Sequence, residues 1–467
     1  MGRSAHTFDY DVSIVGGGSA GYAAARTTAA AGLRTAVVEG GKEVGGLCIL
    51  RGCMPTKALL YAAEVHHLTK HPEAFGIEPG NVRFDFAKVM ARKDLLIKGF
   101  ADYRHQQLKD GRFTFIRANA RFTDSHTLLL DDGRTISAEH FVISTGSNVA
   151  PSPVPVLDQV GYLNSDSALR LTSLPKTLIV LGGGSVALEF AQFFSRFDVK
   201  VTLIQRSPHV LHEVDADAAE VIERVFRGEG IEVFTGTKLL DATKDANGKT
   251  VTFLHGDQKL SVTANEIFFA LGRTPNTASL NLDGIGVKTN WGQIVTDERM
   301  RTSVPHIYAA GDCTGPYEIV HIAVQQGEIA GYNIANPAEP RAIDYRLRTE
   351  VVFTEPQIAL VGLTEKEAQS RQIAYRAASY PFNDHGKSLI MNALDGFVKL
   401  LCDPVTGEII GGACVGPFGG ELIHEVIAAM HKRMTVRELA TMPHYHPTLA
   451  EIWTYPAEEL AEKIASG

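Results

Sequence analysis

Short apolar runs that stop at glycine, each followed by a helical stretch, set the rhythm of most of the chain. Residues 11–15 (DVSIV) read as a strand running into Gly16, Gly18 and Gly21. Residues 22–31 continue as an alanine-rich helix, and residues 34–38 as a second strand ending at Glu39. Apolar runs of this length, separated by a helical pattern, predict strands of a parallel sheet. The unit recurs. Residues 176–181 form an apolar strand, Gly182, Gly184 and Ala187 open an amphipathic helix through residue 197, and residues 199–204 form the next strand. Residues 139–146 end in Ser-Thr-Gly146, and residues 266–276 end in ALGRTPN, which carries Gly272. Residues 307–312 are a further strand ending at Asp312, with a helix over 320–330.

After about residue 343 the pattern changes. Residues 350–353, 358–361, 397–402 and 409–415, with Tyr380 in another run, read as antiparallel strands. A helix is predicted over 420–432, and Thr364 with Glu367, and Thr435 with Glu438, have capping-box spacing. No glycine fingerprint occurs there. The prediction is an α/β protein with two Rossmann-like dinucleotide-binding domains and a C-terminal α+β domain. Residues 151–155, rich in proline, read as the linker between the first two.

The glycines have distinct tasks. Gly16 permits the turn, Gly18 lets a pyrophosphate approach the backbone, and Gly21 lets helix and strand pack closely. The pyrophosphate would rest on the helix N-terminus, and Glu39 would accept from a ribose hydroxyl. In the second unit Gln205 and Arg206 stand where an acid is expected. Arg206 suits a 2′-phosphate, which a carboxylate would repel, and so tilts the reading toward NADP(H). The alternative is that Arg206 is solvated surface.

Composition narrows the classes. The chain is 45% hydrophobic and 21% charged, with mean hydropathy −0.01, as expected of a globular protein. Its net charge of −8 argues against bulk nucleic-acid binding. No apolar run is long enough to predict a membrane span. The alanine-rich stretch 16–32 reads as structure rather than as a signal peptide, because Asp9 and Asp11 precede it and Arg26 interrupts it. Five cysteines are too few for a secreted disulfide scaffold, so a reducing, cytoplasmic compartment is expected.

Residues 45–57 read GGLCILRGCMPTK. Pro55 suits the first turn of a helix, which puts Cys48 and Cys53 at or just before its N-terminus. The partial positive charge there favours thiolate. Three readings compete. A structural staple would contribute about 2 kcal/mol, in a chain long enough not to need it. Half of a zinc site would need a second close pair, which Cys313, Cys402 and Cys414 do not form. The third reading is a redox-active disulfide, which the spacing alone does not establish. Cys402 and Cys414 lie in apolar strands and read as core thiols. In the tail, HYHPTLAEIW, Glu451 follows His446 at a distance that suits a carboxylate fixing an imidazole. Read alone, such a pair is more often structural than catalytic.

Taken together these residues resemble the FAD-dependent pyridine nucleotide–disulfide oxidoreductases, among them dihydrolipoamide dehydrogenase, glutathione reductase and mercuric reductase. The match covers both fingerprints, the C-x4-C-x-P-x-K block, the ALGRTPN and YAAGD strand ends and the H-x-H-P-T-x-x-E tail. The resemblance implies FAD on Gly16, Gly18, Gly21 and Glu39, with Asp312 near its ribityl chain. It implies NAD(P)(H) at Gly182 and Gly184, with Gln205 and Arg206 at the strand end, and Gly146 and Gly272 at the crossings between units. Cys53 would be the flavin-proximal sulfur and Cys48 the one exchanging with substrate. Lys57 and Glu189 would pair near the flavin. His446, oriented by Glu451, would be the acid/base and would come from the other subunit of a homodimer. The implied domains are 1–150 with 276–342 for FAD, 151–275 for NAD(P)(H), and 343–467 for dimerisation.

Departures from the family pattern bear on substrate. Leu47 and Leu50 replace the usual Thr and Asn of the cysteine block, and Arg51 adds a cation. Ser185 stands where glutathione reductases have a tyrosine, and Glu328 where they have an arginine, which disfavours glutathione. The chain ends KIASG rather than in a cysteine pair, which disfavours mercury. The tail most resembles dihydrolipoamide dehydrogenase, so the expected substrate is a dithiol/disulfide such as a lipoyl-carrying protein. Two alternatives stand beside it. One is an NADPH-dependent reductase of another disulfide or electrophile. The other is a partner-binding flavoprotein without turnover, against which the intact Cys48, Cys53, Lys57, Glu189, His446 and Glu451 argue.

Overall fold

A computed structural model describes residues 7–465. The chain divides into two units. The first takes the described part of Met1–Thr56 with Met90–Pro151 and Gly272–Asp344, and the second takes Lys57–Val89, Ser152–Leu271 and the described part of Tyr345–Gly467.

The first unit is built on a parallel array in the order Thr114–Ile116, Thr35–Val38, Tyr10–Val15, Thr135–Ile143 and Ile307–Ala309. Strands Ala120–Asp124 and Thr127–Leu130 extend it as an antiparallel meander. Val12, Ile14, Val37, Phe141 and Val142 have no exposed surface, as continuous apolar runs require of strands covered on both faces. Helix Ser19–Ala30 packs along helix Val320–Ala335 at very short range. A Cβ on Gly327 would strike the Ala20 carbonyl, and one on Gly331 would sit 3.0 Å from the Ala24 carbonyl oxygen. The two glycines of helix Val320–Ala335 are therefore a packing requirement.

The second unit repeats the motif. Its parallel strands run in the order Glu232–Phe234, Lys200–Ile204, Thr177–Leu181 and Glu266–Phe269. Helix Ser185–Arg196 brings Phe190 to 4.7 Å from the Phe268 ring. A five-stranded antiparallel sheet follows, ordered Thr349–Val352, Gln357–Gly362, Ile409–Gly416, Phe397–Cys402 and Arg376–Pro381. It shares a core with Ile423, Val426, Trp453 and Leu460. Cys402 and Cys414 are fully buried in this core, and burial pushes the Cys402 thiol up to about 11 and Cys414 higher still.

Some expected elements come out differently. Residues 266–276 are not one strand: the chain breaks at Gly272, with φ of +121°, and Arg273–Pro275 pairs instead with Ser147–Val149. The strand expected over 307–312 ends at Ala309, ahead of a turn at Gly311 with φ of +82°. The helix expected over 320–330 runs on to Ala335. Helix Phe86–Leu108 and the antiparallel ribbon of Thr237–Asp245, Gly248–His255 and Gln258–Ala264 have no counterpart in the apolar rhythm, because much of their surface faces solvent. Among the described residues no helix is long and apolar enough to cross a membrane.

Candidate active site

The first fingerprint turn is a tight lattice of backbone contacts. Gly16 follows the strand directly, with φ of +106°, and its N–H donates to the Val38 carbonyl at 2.8 Å. A Cβ on Gly16 would strike the Ser144 carbonyl, and one on Gly21 would strike the Gly16 carbonyl. Glu39 closes the turn: the Gly17 N–H donates to its Oε2 at 2.8 Å and the Gly41 N–H to its Oε1 at 2.6 Å. A carboxylate has lone pairs left over for a ribose. No side chain caps helix Ser19–Ala30 at Gly18, so its first N–H groups remain directed at the turn. These features fit the pyrophosphate and ribose of a dinucleotide.

The cysteine block packs on this turn. A Cβ on Gly46 would lie 2.7 Å from the Gly18 Cα, so glycine is required at Gly46. Cys53 opens helix Cys53–Lys70, with Pro55 buried in its first turn, as the sequence predicts. Cys48 departs from expectation. It lies inside a short helix of its own, Gly46–Arg51, broken from the next at Gly52. The break favours glycine, since a Cβ on Gly52 would sit 3.1 Å from the Leu47 carbonyl oxygen. Both cysteines are half-buried, and Arg51 between them is exposed.

Asp312 is fixed in the same unit. The Ser147 hydroxyl donates to its Oδ2 at 2.7 Å, and Arg273 Nε donates to the Ser147 hydroxyl at 2.8 Å. Gly146 and Gly272 stand together at this crossing: the Asn276 N–H donates to the Gly146 carbonyl and the Ala150 N–H to the Gly272 carbonyl. Glu328 pairs with Arg26 across the two packed helices.

The second fingerprint repeats the glycine turn of the first. Gly182 has φ of +116°, donates to the Ile204 carbonyl at 3.0 Å, and would clash through a Cβ with the Ala270 carbonyl. Gly184 and Ser185 are exposed at the start of helix Ser185–Arg196, which has no capping side chain at Gly184. Gln205 takes the place of Glu39. Its buried side chain lies against Gly183, and its Oε1 accepts the Arg206 N–H at 3.0 Å. Arg206 is exposed.

Two polar groupings complete the second unit. Lys57 Nζ donates to both oxygens of Glu189 at 2.9 Å, and the same carboxylate accepts the Phe353 N–H at 3.0 Å. The Glu189 side chain is only 4% exposed, and the ammonium lies 4.6 Å from the Phe353 ring centre. In the tail, Glu451 Oε2 stands 2.9 Å from His446 Nδ1. The His446 side chain is 79% exposed while Glu451 is 13% exposed, so a buried carboxylate holds an open imidazole. His444 has a carboxylate too, Glu425 at 2.5 Å, but is 7% exposed and closed off.

Residues 10–327 match the family model of the pyridine nucleotide-disulphide oxidoreductases, and residues 349–457 match that family's dimerisation domain. The chain belongs to this family. It is 36% identical over 456 residues to a dihydrolipoyl dehydrogenase of Thermus scotoductus, covering 97% of each chain. It is 35% identical over 450 residues to that of Geobacillus stearothermophilus, covering 95% of each. Among solved structures, LpdA from Mycobacterium tuberculosis superposes with a TM-score of 0.86 at 29% identity, covering 96% of this chain and 99% of that one. The HOCl-induced flavoprotein disulfide reductase RclA from Escherichia coli superposes with 0.85 at 27%, with the same coverage. This family member is thus an FAD-dependent oxidoreductase that uses NAD(P)(H), with the two-Rossmann and dimerisation architecture.

Sequence reasoning missed three features. The Arg104 guanidinium lies 4.2 Å over the Tyr22 ring, and Arg112 donates to the Tyr22 hydroxyl at 3.0 Å. Phe353 roofs Lys57. His385, with Ser388, faces Glu451 from the far side. None follows a spacing rule, since each partner comes from a distant segment.

Proposed function

We propose that the chain is a dihydrolipoyl dehydrogenase-type enzyme, passing electrons from a protein-borne dihydrolipoyl group to NAD(P)⁺. One observation carries the reading: Gly46 seats the cysteine block on Gly18 of the first fingerprint, so dithiol and dinucleotide chemistry share one corner. FAD, when bound there, supplies two-electron hydride chemistry. Gly16, Gly18, Gly21 and Glu39 hold it, with Gly146 and Asp312 alongside. The second fingerprint holds the nicotinamide dinucleotide through Gly182, Gly184, Gln205 and Arg206. The domains follow as 1–150 with 276–342, 151–275 and 343–467.

The sulfur chemistry balances within the chain. A substrate thiolate attacks Cys48 of the Cys48–Cys53 disulfide, forms a mixed disulfide and releases Cys53 as thiolate. The second substrate thiol then displaces Cys48. The substrate loses two electrons and two protons: the pair gains the two electrons, one proton goes to His446, and the other goes to Cys48 as it is released. His446, steadied by Glu451, takes the proton from the attacking thiol. We assign that histidine to the second copy of a homodimer, which the match to the dimerisation domain supports. Lys57 is the fixed cation and Glu189 its anchor. Five cysteines in 467 residues support a cytoplasmic setting.

Arg206 favours a second reading, an NADPH-dependent reductase of another disulfide. Steady-state assay of the purified protein with dihydrolipoamide, glutathione disulfide and mercuric ion, each with both nicotinamides, decides between them. Dihydrolipoamide should be turned over and Cys48→Ser should abolish it. FAD-loaded protein inert toward dihydrolipoamide with either nicotinamide would sink the first reading.

A further inference from the structure

Glu451 faces two histidines, and only His446 belongs to the pair that moves protons. The other, His385, has no exposed surface. It sits at the turn between Phe382–Asp384 and Gly386–Met391. Its Nδ1 is 2.8 Å from the hydroxyl of Ser388, which is also fully buried. Its Nε2 lies 3.4 Å from Glu451 Oε1, a polar contact outside hydrogen-bond geometry, and is a buried nitrogen with no hydrogen-bond partner among the described residues. The packed elements present few other titratable groups. Tyr455 stands edge-on at 6.3 Å and stacks on Tyr380 at 4.0 Å, and the Tyr380 hydroxyl donates to Asp384 Oδ2 at 2.9 Å.

Burial lowers the pKa of His385, against the pull of Glu451, so the ring is neutral and carries one N–H. Placing that proton on Nδ1 would turn the Nε2 lone pair toward a carboxylate oxygen in a dry site, which is repulsive. Placing it on Nε2 lets the Ser388 hydroxyl donate to Nδ1 and turns the Nε2 proton toward the carboxylate charge 3.4 Å away. Glu451 Oε1 then faces the Nε2–H, while His446 Nδ1 meets both oxygens, Oε1 at 3.2 Å and Oε2 at 2.9 Å.

We infer that His385 is a positioning residue for proton transfer at His446, acting through Glu451 and set in its tautomer by Ser388. The inference rests on the reading of His446 as the acid/base. Without the buried donor the carboxylate can rotate, and its undivided charge holds protonated His446 more strongly.

The test uses FAD-loaded enzyme oxidising dihydrolipoamide across pH. His385→Phe should lower kcat about tenfold, the lower end for lost second-sphere partners, with KM for the nicotinamide unchanged. The acid limb of the pH–rate profile should move up by roughly half a unit. His385→Gln, which offers an N–H at similar reach, should restore most of both. A folded, FAD-replete His385→Phe enzyme with wild-type kcat and pH profile overturns the inference while leaving His446 in place. His446→Gln at wild-type rate would instead remove the underlying reading. If His385→Phe does not fold, ¹⁵N-histidine spectra of the wild-type holoenzyme decide. An Nε2–H tautomer that shifts in Ser388→Ala supports the inference, and an Nδ1–H tautomer overturns it.

Discussion

Glu39 and Gln205 hold the same post in two copies of one motif and differ by a single charge. Glu39 accepts two backbone N–H groups and keeps an anion at the first turn. Glu39→Gln should weaken FAD retention about tenfold or more, since charge-assisted bonds are worth about 1.5–3 kcal/mol. Flavin content after dialysis against the apoprotein reads this directly. At the second turn the neutral Gln205 leaves the exposed Arg206 as the nearest charge of the motif. Arg206→Glu should move the ratio of kcat/KM for NADPH over NADH more than tenfold toward NADH. An unchanged ratio would make Arg206 plain surface. The residue scale also shows where sequence reading stops. His444 and His446 stand two apart and each has a carboxylate, yet one is buried and one is open. Spacing to Glu451 singles out His446, but only burial separates a closed pair from one able to meet a substrate.

At the scale of elements, the two nucleotide folds are built by one rule. A strand ends, a glycine turns under the carbonyl of the neighbouring strand's last residues, and an uncapped helix starts. Ser144 does this for Gly16 and Ala270 for Gly182. The rule was legible because it needs glycine at fixed offsets. The contact between helices Ser19–Ala30 and Val320–Ala335 was not, since the two lie far apart in sequence. Gly327→Ala tests it: with the Ala20 carbonyl in the way, the variant should lose about 1–3 kcal/mol in urea unfolding. An unchanged midpoint would show that the helices can part without cost. The cysteine block shows the opposite limit. Pro55 announced the second helix, but the helical turn around Cys48 depends on Gly52 breaking the chain between the two.

At the scale of the whole molecule, charge and assembly give two predictions. Glu355 is driven up to about 8, first by burial and then by Glu64, with Arg196 opposing. Its ordinary value is 4.5, so the stability it contributes is full below pH 4.5 and is lost as pH rises through 8. Glu355→Gln cannot ionise and should flatten the fall of Tm over that window. Parallel curves for the two proteins would refute the assignment. For the dimer, Cys48→Ser and His446→Gln chains should each be inactive with dihydrolipoamide. Mixed and re-associated, they should regain activity through heterodimers carrying one intact site. Heterodimers without activity would place thiol and histidine in the same chain.

What the sequence determined by itself was the repeating unit and its chemistry: two glycine fingerprints, a cysteine pair before a helix, and a histidine with its carboxylate. These are local in sequence, because turns, helix starts and short spacings are set by neighbouring residues. The tertiary structure decided the rest. It chose which histidine is open, seated Gly46 on Gly18, broke the run at Gly272 into two strands with different partners, and put His385 behind Glu451. Each of those depends on groups far apart in the chain meeting at van der Waals distance. No local pattern encodes that, because packing is settled by the whole core at once.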